Sequence, residues 1–261
     1  AYEIYQCDWS SDVCSSDLVS PIPPSGFRLQ ASPEPLPMRD FTQQSPLHGD
    51  RGLGDSRPVV IGGPIVAISP EPGSRGAALA KAISRRLQWP LYDPDALGYL
   101  IGQPGQADEI MDRLDLDQRT WVEDTLRVWR SDGRPHDSAT QTMARLVVAI
   151  SCTGRAVFLG RGAGFIVPRS AVLHIGIVSP REERLAELEQ TRRLTPAMAE
   201  QQLAAEERRR EEFLHGISGR RFAEADAFDL ILNSWSLGEE ACLSLIRSAL
   251  ASRFPGHAFA A

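Results

Sequence analysis

The chain has 261 residues, a formal net charge of −6 and 42% hydrophobic residues, a composition typical of a globular protein with one large domain or two small ones. Its apolar runs are too short for a membrane span, and no secretory signal is visible. It also lacks a basic block or an aromatic-interleaved basic face, so we expect a cytoplasmic protein without a membrane or nucleic-acid polymer as partner.

Residues 1–57 are not expected to belong to the fold. Residues 8–18, DWSSDVCSSDL, resemble the translation of a common DNA-sequencing adapter, and two of the four cysteines lie in or beside this stretch. The other two, Cys152 and Cys242, are isolated and are predicted to be small buried hydrophobes. Residues 19–58 are rich in proline and have no sustained periodicity, which predicts disorder.

A strand, a glycine-bearing turn and a helix are predicted within Ile65 to Leu87. The strand is an apolar run that can be buried on both faces, and the turn contains Gly73 and Gly76. Amide groups at the start of a helix have no intrahelical partner and favour an anion. A full phosphate loop also carries a lysine directly after its last glycine, and here Ala77 follows Gly76. The turn therefore indicates either phosphate binding or the packing of a helix on a sheet.

A short second strand and a capped helix follow. Leu91 and Tyr92 form the predicted strand, and Asp93 with Pro94 is typical of an N-cap and first helical residue. A carboxylate at the end of a strand is also near the place where open α/β sheets bind substrates. Asp93 is thus a candidate substrate-binding residue or a simple helix cap.

Residues 98–137 are polar and irregular, with a helix predicted around Arg119 to Arg130. Trp121 and Trp129 on this helix could cover a nucleobase, although an aromatic pair at this spacing is more often part of the core. The next amphipathic helix begins at Ser138.

The third predicted strand, Ala156 to Leu159, ends in the glycine-rich turn 160–164. Three glycines in five positions allow close approach of a ligand. The guanidinium of Arg161 can donate two parallel hydrogen bonds to a phosphate. An arginine in a solvated loop is the alternative.

The fourth strand, Val172 to Val178, contains His174, which is predicted to be a satisfied core histidine. Helices are then predicted to begin at Ser179 and Thr195, and the second carries the charge run Glu206 to Glu212. A helix that is polar nearly all round is either solvated or a movable lid that brings arginines over bound phosphates.

A fifth strand, Leu230 to Leu232, and a helix from Ser236 complete the pattern. Ser236 and Glu239 form a predicted capping box. The residues predicted to face the core on this helix are Cys242, Leu245, Ile246, Ala249 and Leu250. Apolar strands alternating with helices predict an α/β fold with a parallel sheet covered on both faces.

From Val66 to about Ile246, the order of segments resembles the cytidylate kinase-like family of P-loop nucleoside monophosphate kinases. The matching pieces are ISPEPGSRGAALAKAI, WPLYDPDAL, VFLGRGAGFIV, VSPREERL, ERRREEFL and DLILNSWSLGEEACLSLI. The resemblance implies a three-layer P-loop NTPase-like α/β fold over residues 58–261, with about five parallel strands and a helical lid. It also implies transfer of the γ-phosphoryl group of ATP, with Mg²⁺, to a nucleoside monophosphate, most often CMP or dCMP.

The resemblance also implies roles for individual residues. Donor phosphates would be held by the loop and by the start of the lid, through Gly73, Ser74, Gly76, Arg181 and Arg184. Arg75 stands where the family has a glycine, and its side chain either replaces the lost positive charge beside the donor phosphates or occupies the phosphate site. Arg161 would grip the acceptor nucleotide, and Arg208 and Arg210 would fold over the transferring phosphoryl group. No metal ligand is assigned, and Glu71 and Asp93 are the nearest carboxylate candidates.

This chain departs from the family pattern in its glycine turns. The family's loop arginine is Pro70 here, its inner glycine is Arg75, and the arginine after the second glycine is Ala77. The acidic residue that follows the turn arginine in true cytidylate kinases is Gly162. Three hypotheses follow: an active nucleotide kinase, a catalytically silent nucleotide-binding or regulatory module, and an α/β domain whose glycine turns are purely structural.

Overall fold

The structure is a computed structural model that describes residues 63–103, 105–131, 136–219 and 224–257. The predicted disorder of residues 1–57 and the domain boundary beside them lie outside the described residues and stay predictions.

The described residues form one five-stranded sheet in the order β2-β3-β1-β4-β5, and every pairing is parallel. Its strands are β1 (Ile65–Pro70), β2 (Leu91–Tyr92), β3 (Val157–Leu159), β4 (Val172–Val178) and β5 (Leu230–Asn233). This architecture confirms the predicted α/β class and the parallel sheet.

Helices connect the strands. Their bounds are α1 (Gly76–Leu87), α2 (Pro94–Gly102), α3 (Gln106–Asp112), α4 (Leu116–Arg130), α5 (Ser138–Thr153), α6 (Ala163–Ile166), α7 (Arg181–Arg192), α8 (Pro196–Ser218) and α9 (Ser234–Arg253). A single 3₁₀ turn, Ala225–Ala227, precedes β5. We call α7 and α8 together the lid.

Alternation along β1 explains why its apolar run is continuous. Ile65 and Ala67 contact the core cluster that includes residues of α2 to α6, whereas Val66 and Ile68 contact the cluster built with α1 and α9. All four side chains are buried. A strand that is covered on both faces needs apolar residues at every position.

The segment between β2 and α5 is more regular than its sequence indicates. Residues 98–137 were predicted to be irregular apart from one helix, yet α2, α3 and α4 occupy most of the described part. Trp121 and Trp129 pack against the core cluster on this side of the sheet, which favours the core interpretation of the pair. Apolar side chains such as Val122 and Leu126 are buried and hold these helices on the sheet.

The predicted start of α9 is wrong. Asn233, and not Ser236, caps the helix by accepting hydrogen bonds from the amides of Trp235 and Ser236. Gly238 has non-helical angles, so the helix is kinked where the capping box was expected. Of the residues predicted to face the core, Cys242, Ile246 and Leu250 are buried and Ala249 is partly buried. Leu245 is 43% exposed and does not face the core.

The predictions for the two cysteines are confirmed, since Cys152 and Cys242 are both buried and free. Among the helices in the described ranges, none combines the length and the hydropathy that crossing a membrane requires.

His174 lies in the core of the sheet and has 0% exposure, as predicted. Its Nδ1 lies 3.0 Å from the carbonyl oxygen of Ala227, and its Nε2 lies 2.9 Å from the hydroxyl of Ser69. A neutral ring that donates from Nδ1 and accepts at Nε2 satisfies both contacts. Burial lowers the pKa of His174 to about 3, with Arg169 and Arg210 lowering it further and the Ala227 carbonyl opposing the shift.

Stability should therefore depend on pH through His174. Because its folded pKa of about 3 lies below the ordinary value of 6.5, the unfolded chain takes up the proton first as the pH falls. The stabilisation is complete above pH 6.5 and is lost between there and about pH 3. Urea unfolding across this window should show a shallower pH dependence for His174→Gln than for the parent. An identical pH dependence of the free energy of unfolding in the two proteins would contradict the contribution of His174.

Gly164 is predicted to be required for packing between α6 and β4. A Cβ added at this position would lie 2.2 Å from Cδ2 of His174. We expect Gly164→Ala to lower the free energy of unfolding by about 1–3 kcal/mol, as overpacking does. Gly98→Ala is the matched control, since its Cβ would meet nothing within 4 Å. This change in a helix should raise stability by about 0.5–1 kcal/mol, and denaturant titration would measure both.

Candidate functional site

The glycine-bearing turn after β1 leaves several amide groups available for a ligand. Within the described residues, the amides of Gly73, Arg75, Gly76 and Ala77 donate no hydrogen bond. These amides lie in the turn and at the N-terminus of α1, where the helix macrodipole is positive. The turn therefore has the donor groups that an anion requires.

The two glycines of the turn are needed for packing. Gly73 has φ of +77°, and a Cβ there would lie 2.6 Å from the carbonyl oxygen of Arg184 in α7. A Cβ on Gly76 would lie 2.3 Å from Cβ of Pro70. Pro70, which replaces the family's loop arginine, thus packs directly on the start of α1. The main chain of the turn lies against the lid on one side and against its own strand on the other.

Hydrogen bonds fix the turn to the neighbouring strand ends. Glu71 accepts a hydrogen bond from the amide of Ser179, at 3.2 Å, at the end of β4. The hydroxyl of Ser234, at the start of α9, donates to the carbonyl of Ser74 at 2.6 Å and lies 2.9 Å from the hydroxyl of Ser179. The ends of β1, β4 and β5 therefore hold the turn in one conformation.

Arg184 joins the turn to both helices of the lid. Its side chain is only 9% exposed, and its Nη1 lies 2.6 Å from Oε1 of Glu207 in α8. Its Nε lies 3.4 Å from Oε2 of Glu71 and donates to the carbonyl of Ser179 at 3.2 Å. The guanidinium is thus bound to two carboxylates and to the main chain. Arg184, which was predicted to hold donor phosphates, is a structural link in this arrangement.

Arg75 and Arg181 are paired at the surface. The Nε of Arg75 lies 2.7 Å from Glu187 in α7, and its guanidinium lies 5.5 Å from the ring centroid of Trp235. Arg181 pairs with Glu200 at 2.7 Å, across the lid. Because it contacts Glu187 in α7 and Trp235 at the start of α9, the side chain of Arg75 points away from the turn and does not occupy it.

One cavity, of about 400 Å³, lies between the turn, the lid and the end of the sheet near β5. It is lined by Glu71, Pro72, Val178, Glu207, Arg210, Glu211 and Ile231. Nη2 of Arg210 lies 3.4 Å from the carbonyl oxygen of Ser69, where β1 enters the turn. Burial lowers the pKa of Arg210 to about 10, whereas Glu71 and Glu211 oppose the shift. The side chain therefore remains a cation at neutral pH.

A second cavity, of about 530 Å³, lies on the side of the turn that faces β3 and α2. Its lining residues are Pro70, Glu71, Pro72, Pro94, Arg161, Glu206 and Arg209. Arg161 has a left-handed φ of 54°, between two glycines with φ of 68° each. Its side chain is exposed and makes no ion pair or hydrogen bond with any described residue. This guanidinium is thus available to a ligand.

Glu206 remains ionised in the second cavity. Burial raises its pKa, but hydrogen bonds from Arg192 and Gln202 outweigh burial, and the net pKa is lowered. Glu206 therefore supplies a carboxylate beside the two arginines of this cavity at neutral pH.

The structure brings only some of the predicted residues together. Arg161 and Arg210 line cavities that share the wall formed by Glu71 and Pro72. Arg208 is not among the residues that line either cavity. Asp93 accepts a hydrogen bond from the amide of Ala96 at 2.9 Å, as a helix cap does.

Sequence reasoning missed Arg209 and Glu206. Both belong to the charge run Glu206 to Glu212 of α8, but the sequence of this run does not indicate which of its side chains face the turn. The positions of Arg209 and Arg210 follow from how α8 packs, because adjacent helical residues point about 100° apart. A helical-wheel analysis anchored on the buried Leu203 and Leu214 of α8 is the signal that could have found them.

Within the described ranges, no cluster of three or more histidine, cysteine or acidic side chains could hold a metal ion alone. Glu71 is the carboxylate in the turn itself, and it already contacts Arg184 and Ser179.

Removing the Arg184 side chain should destabilise the protein. Arg184→Ala would leave Glu207 and Glu71 without their partner in a partly buried position, which costs about 2 kcal/mol or more. Arg181→Ala is the matched control on the same helix, because exposed ion pairs contribute about 0.2–1 kcal/mol. Denaturant unfolding would compare the two, and equal losses would contradict the structural role of Arg184.

Comparison with known proteins identifies the fold and the family. A solved structure of an uncharacterized protein from Eubacterium ventriosum matches with a TM-score of 0.58 at 14% identity, over 72% of this chain and 98% of that one. Shikimate kinase from Bacteroides thetaiotaomicron matches at 12% identity over 72% of this chain and 98% of that one, with a TM-score of 0.40. The likeness to the first structure supports the fold alone.

A curated relative, uronate isomerase from Corynebacterium glutamicum, is 29% identical over 120 residues. The match covers 46% of this chain and 23% of that protein, so this chain spans less than a quarter of the length of the relative. The model of the cytidylate kinase-like family matches residues 65–236, which include β1, the turn, the lid and β5. Because this match spans well over half of the chain, the protein belongs to the cytidylate kinase-like family.

Proposed function

We propose that this protein is an ATP-dependent phosphotransferase that transfers the γ-phosphoryl group to a nucleoside monophosphate, with CMP or dCMP as the preferred acceptor. Family membership supports the reaction class, and the resemblance to cytidylate kinases supports the acceptor. In such reactions the protein contributes mainly positioning and charge neutralisation.

The observation that carries the proposal is that two cavities meet at the turn after β1. Glu71 and Pro72 line both, the cavity toward β5 contains Arg210, and the second cavity contains Arg161 and Arg209. A phosphoryl transfer requires a donor and an acceptor whose phosphates face each other roughly in line. Two cavities on either side of Glu71 and Pro72 suit that requirement.

The residues of the second cavity favour a phosphorylated acceptor. Arg161 and Arg209 can each donate hydrogen bonds to phosphate oxygens, and the planar guanidinium suits bidentate contacts. Glu206 can accept hydrogen bonds from an amino or hydroxyl group on the same ligand. Pro70, Pro72 and Pro94 supply apolar surface for a sugar or a base.

The donor phosphates would bind at the free amides of the turn and the start of α1. Arg210 would add a positive charge at the entrance to the turn, close to the position where the family has its loop arginine. Mg²⁺ usually binds through phosphate oxygens with one or two carboxylates, and Glu71 is the carboxylate in the turn that could take part. When bound, the ion would supply neutralisation of phosphate charge.

A second candidate function is a catalytically silent nucleotide-binding module. It is favoured by the extent to which the lid arginines are already paired. Arg184 is bound to Glu207, Arg181 to Glu200, and Arg192 to Glu206. Ion pairs that must break before a phosphate can bind weaken the binding of that phosphate.

The proposal is tested with the full chain in a coupled assay of ATP-dependent diphosphate formation. CMP and dCMP should be converted faster than UMP, AMP or GMP. Thermal unfolding with ATP and with each monophosphate should show stabilisation in the same samples. Stabilisation without turnover of any acceptor would favour the silent module. The absence of both stabilisation and turnover would contradict both functions.

Arg161→Gly separates function from stability. Glycine relieves a left-handed conformation that costs other residues about 1–2 kcal/mol, and it adds an entropic cost of about 0.5–1 kcal/mol. The free energy of unfolding should therefore stay constant or rise slightly. Loss of a charged hydrogen bond to phosphate should lower kcat/KM by about tenfold to a hundredfold.

Arg155→Gly is the matched control for this experiment. Arg155 also has a left-handed φ, of 53°, but it precedes the amino end of β3. The turn follows the carboxyl end of β1, so Arg155 lies at the opposite end of the parallel strands. It should match the stability of Arg161→Gly and keep full activity. A kinase activity that survives Arg161→Gly would contradict the role of Arg161.

A further inference from the structure

Trp235, in the first turn of α9, has an exposed indole beside the turn after β1. Its exposed fraction is 46%. Among the other tryptophans of the described ranges, Trp89 is buried, and Trp121 and Trp129 pack against the core. Apolar residues that are exposed singly are common, so exposure alone assigns no role to the ring. The informative observation is the set of contacts that hold Trp235 next to the turn.

Hydrogen bonds tie the main chain around Trp235 to the turn. The hydroxyl of Ser234 donates to the carbonyl of Ser74 at 2.6 Å, and the amide of Trp235 donates to the side chain of Asn233 at 3.2 Å. Gly238 has non-helical angles, so a kink separates this first turn from the body of α9, which packs in the core. The position of Trp235 therefore follows the turn after β1.

Arg75 connects the indole to the free amides of the turn. Its guanidinium carbon lies over the Trp235 ring, 5.5 Å from the centroid, a distance at which a cation is attracted to the π system. The same side chain is bound to Glu187 in α7 at 2.7 Å, so its position is fixed. The main-chain amide of Arg75 is one of those that donate no hydrogen bond within the described residues. One arginine thus spans the distance between the proposed phosphate site and the indole.

A nucleoside triphosphate has the two parts that this arrangement can bind. Its phosphates are anions that suit free amides at the start of a helix. Its base is a flat π surface that can stack on an aromatic side chain, and stacking requires no hydrogen-bonding group on the protein. A base that covers an exposed indole also removes apolar surface from water.

We propose that Trp235 is the surface on which the base of the phosphoryl donor stacks, and that Arg75 holds the indole in position for it. This inference rests on the proposed function, because it takes the donor phosphates to bind at the amides of the turn. Trp235 then contributes to the affinity for the base and not to the affinity for the phosphates.

The test compares ATP with inorganic tripolyphosphate, which carries three phosphates and no base, by isothermal titration of the full chain with Mg²⁺. Trp235→Leu removes the aromatic ring, so it should weaken the binding of ATP by about tenfold or more and leave that of tripolyphosphate unchanged. Trp235→Phe keeps a ring and should retain most of the affinity for ATP.

Tryptophan fluorescence supplies a measurement that a purely structural role would not change. ATP should quench the emission of the parent because the base stacks on the indole, whereas tripolyphosphate should not. The quenching by ATP should be lost in Trp235→Phe, although this variant still binds ATP.

Tyr99→Leu is the matched control, because Tyr99 is an aromatic residue with 65% exposure that lines neither cavity at the turn. It should bind ATP as the parent does. Equal affinity for ATP in the parent and Trp235→Leu would overturn the inference and leave the proposed kinase function intact. An equal loss of ATP and tripolyphosphate binding in Trp235→Leu would overturn it too. A parent that binds neither probe would contradict the donor site itself, and with it both proposals.

Discussion

The buried guanidinium of Arg184 is the interaction on which the candidate site depends. Removing a charge from water costs several kcal/mol unless carboxylates and carbonyls take the place of water. Here the carboxylates come from Glu71 in the turn and Glu207 in α8, and the carbonyl comes from Ser179. Turn, α7 and α8 therefore belong to one charge network. The main chain of Arg184 also occupies the space that a side chain on Gly73 would need, so packing and charge fix the same geometry.

A turn held in this way differs from a full phosphate loop in the source of its positive charge. A full loop carries a lysine within its own sequence. Here the turn offers main-chain amides, and the cations come from Arg161 after β3 and from Arg209 and Arg210 in α8. Such a site exists only when three distant parts of the chain pack together. Pro70 and Gly76 contribute by bringing the strand and the helix into contact, which leaves no room for a longer side chain between them.

The strands and most helices could be predicted from the sequence because local chemistry specifies them. The apolar run of β1 and the Asp93-Pro94 cap are examples that the structure confirms. The start of α9 was missed because Asn233 competes as a cap with Ser236, and only the geometry at the end of β5 decides between them. The carboxylate partners of Arg184 could not be predicted, because an arginine that binds carboxylates and one that binds phosphate have the same sequence signature. The approach of Glu71 to Arg184 depends on a contact between residues more than a hundred positions apart in the sequence.

The run of three arginines in α8 shows how a helix can serve two cavities at once. Successive residues of a helix point about 100° apart. Arg209, with Glu206, faces the cavity that contains Arg161, whereas Arg210, with Glu207, faces the cavity toward β5. Since both cavities take a wall from the same helix, any shift of α8 changes the two together. The Arg184–Glu207 pair ties α8 to α7, and Glu71 ties α7 to the turn. Ligands in the two cavities would therefore contact the same helix, and that helix is tied to the turn through Arg184.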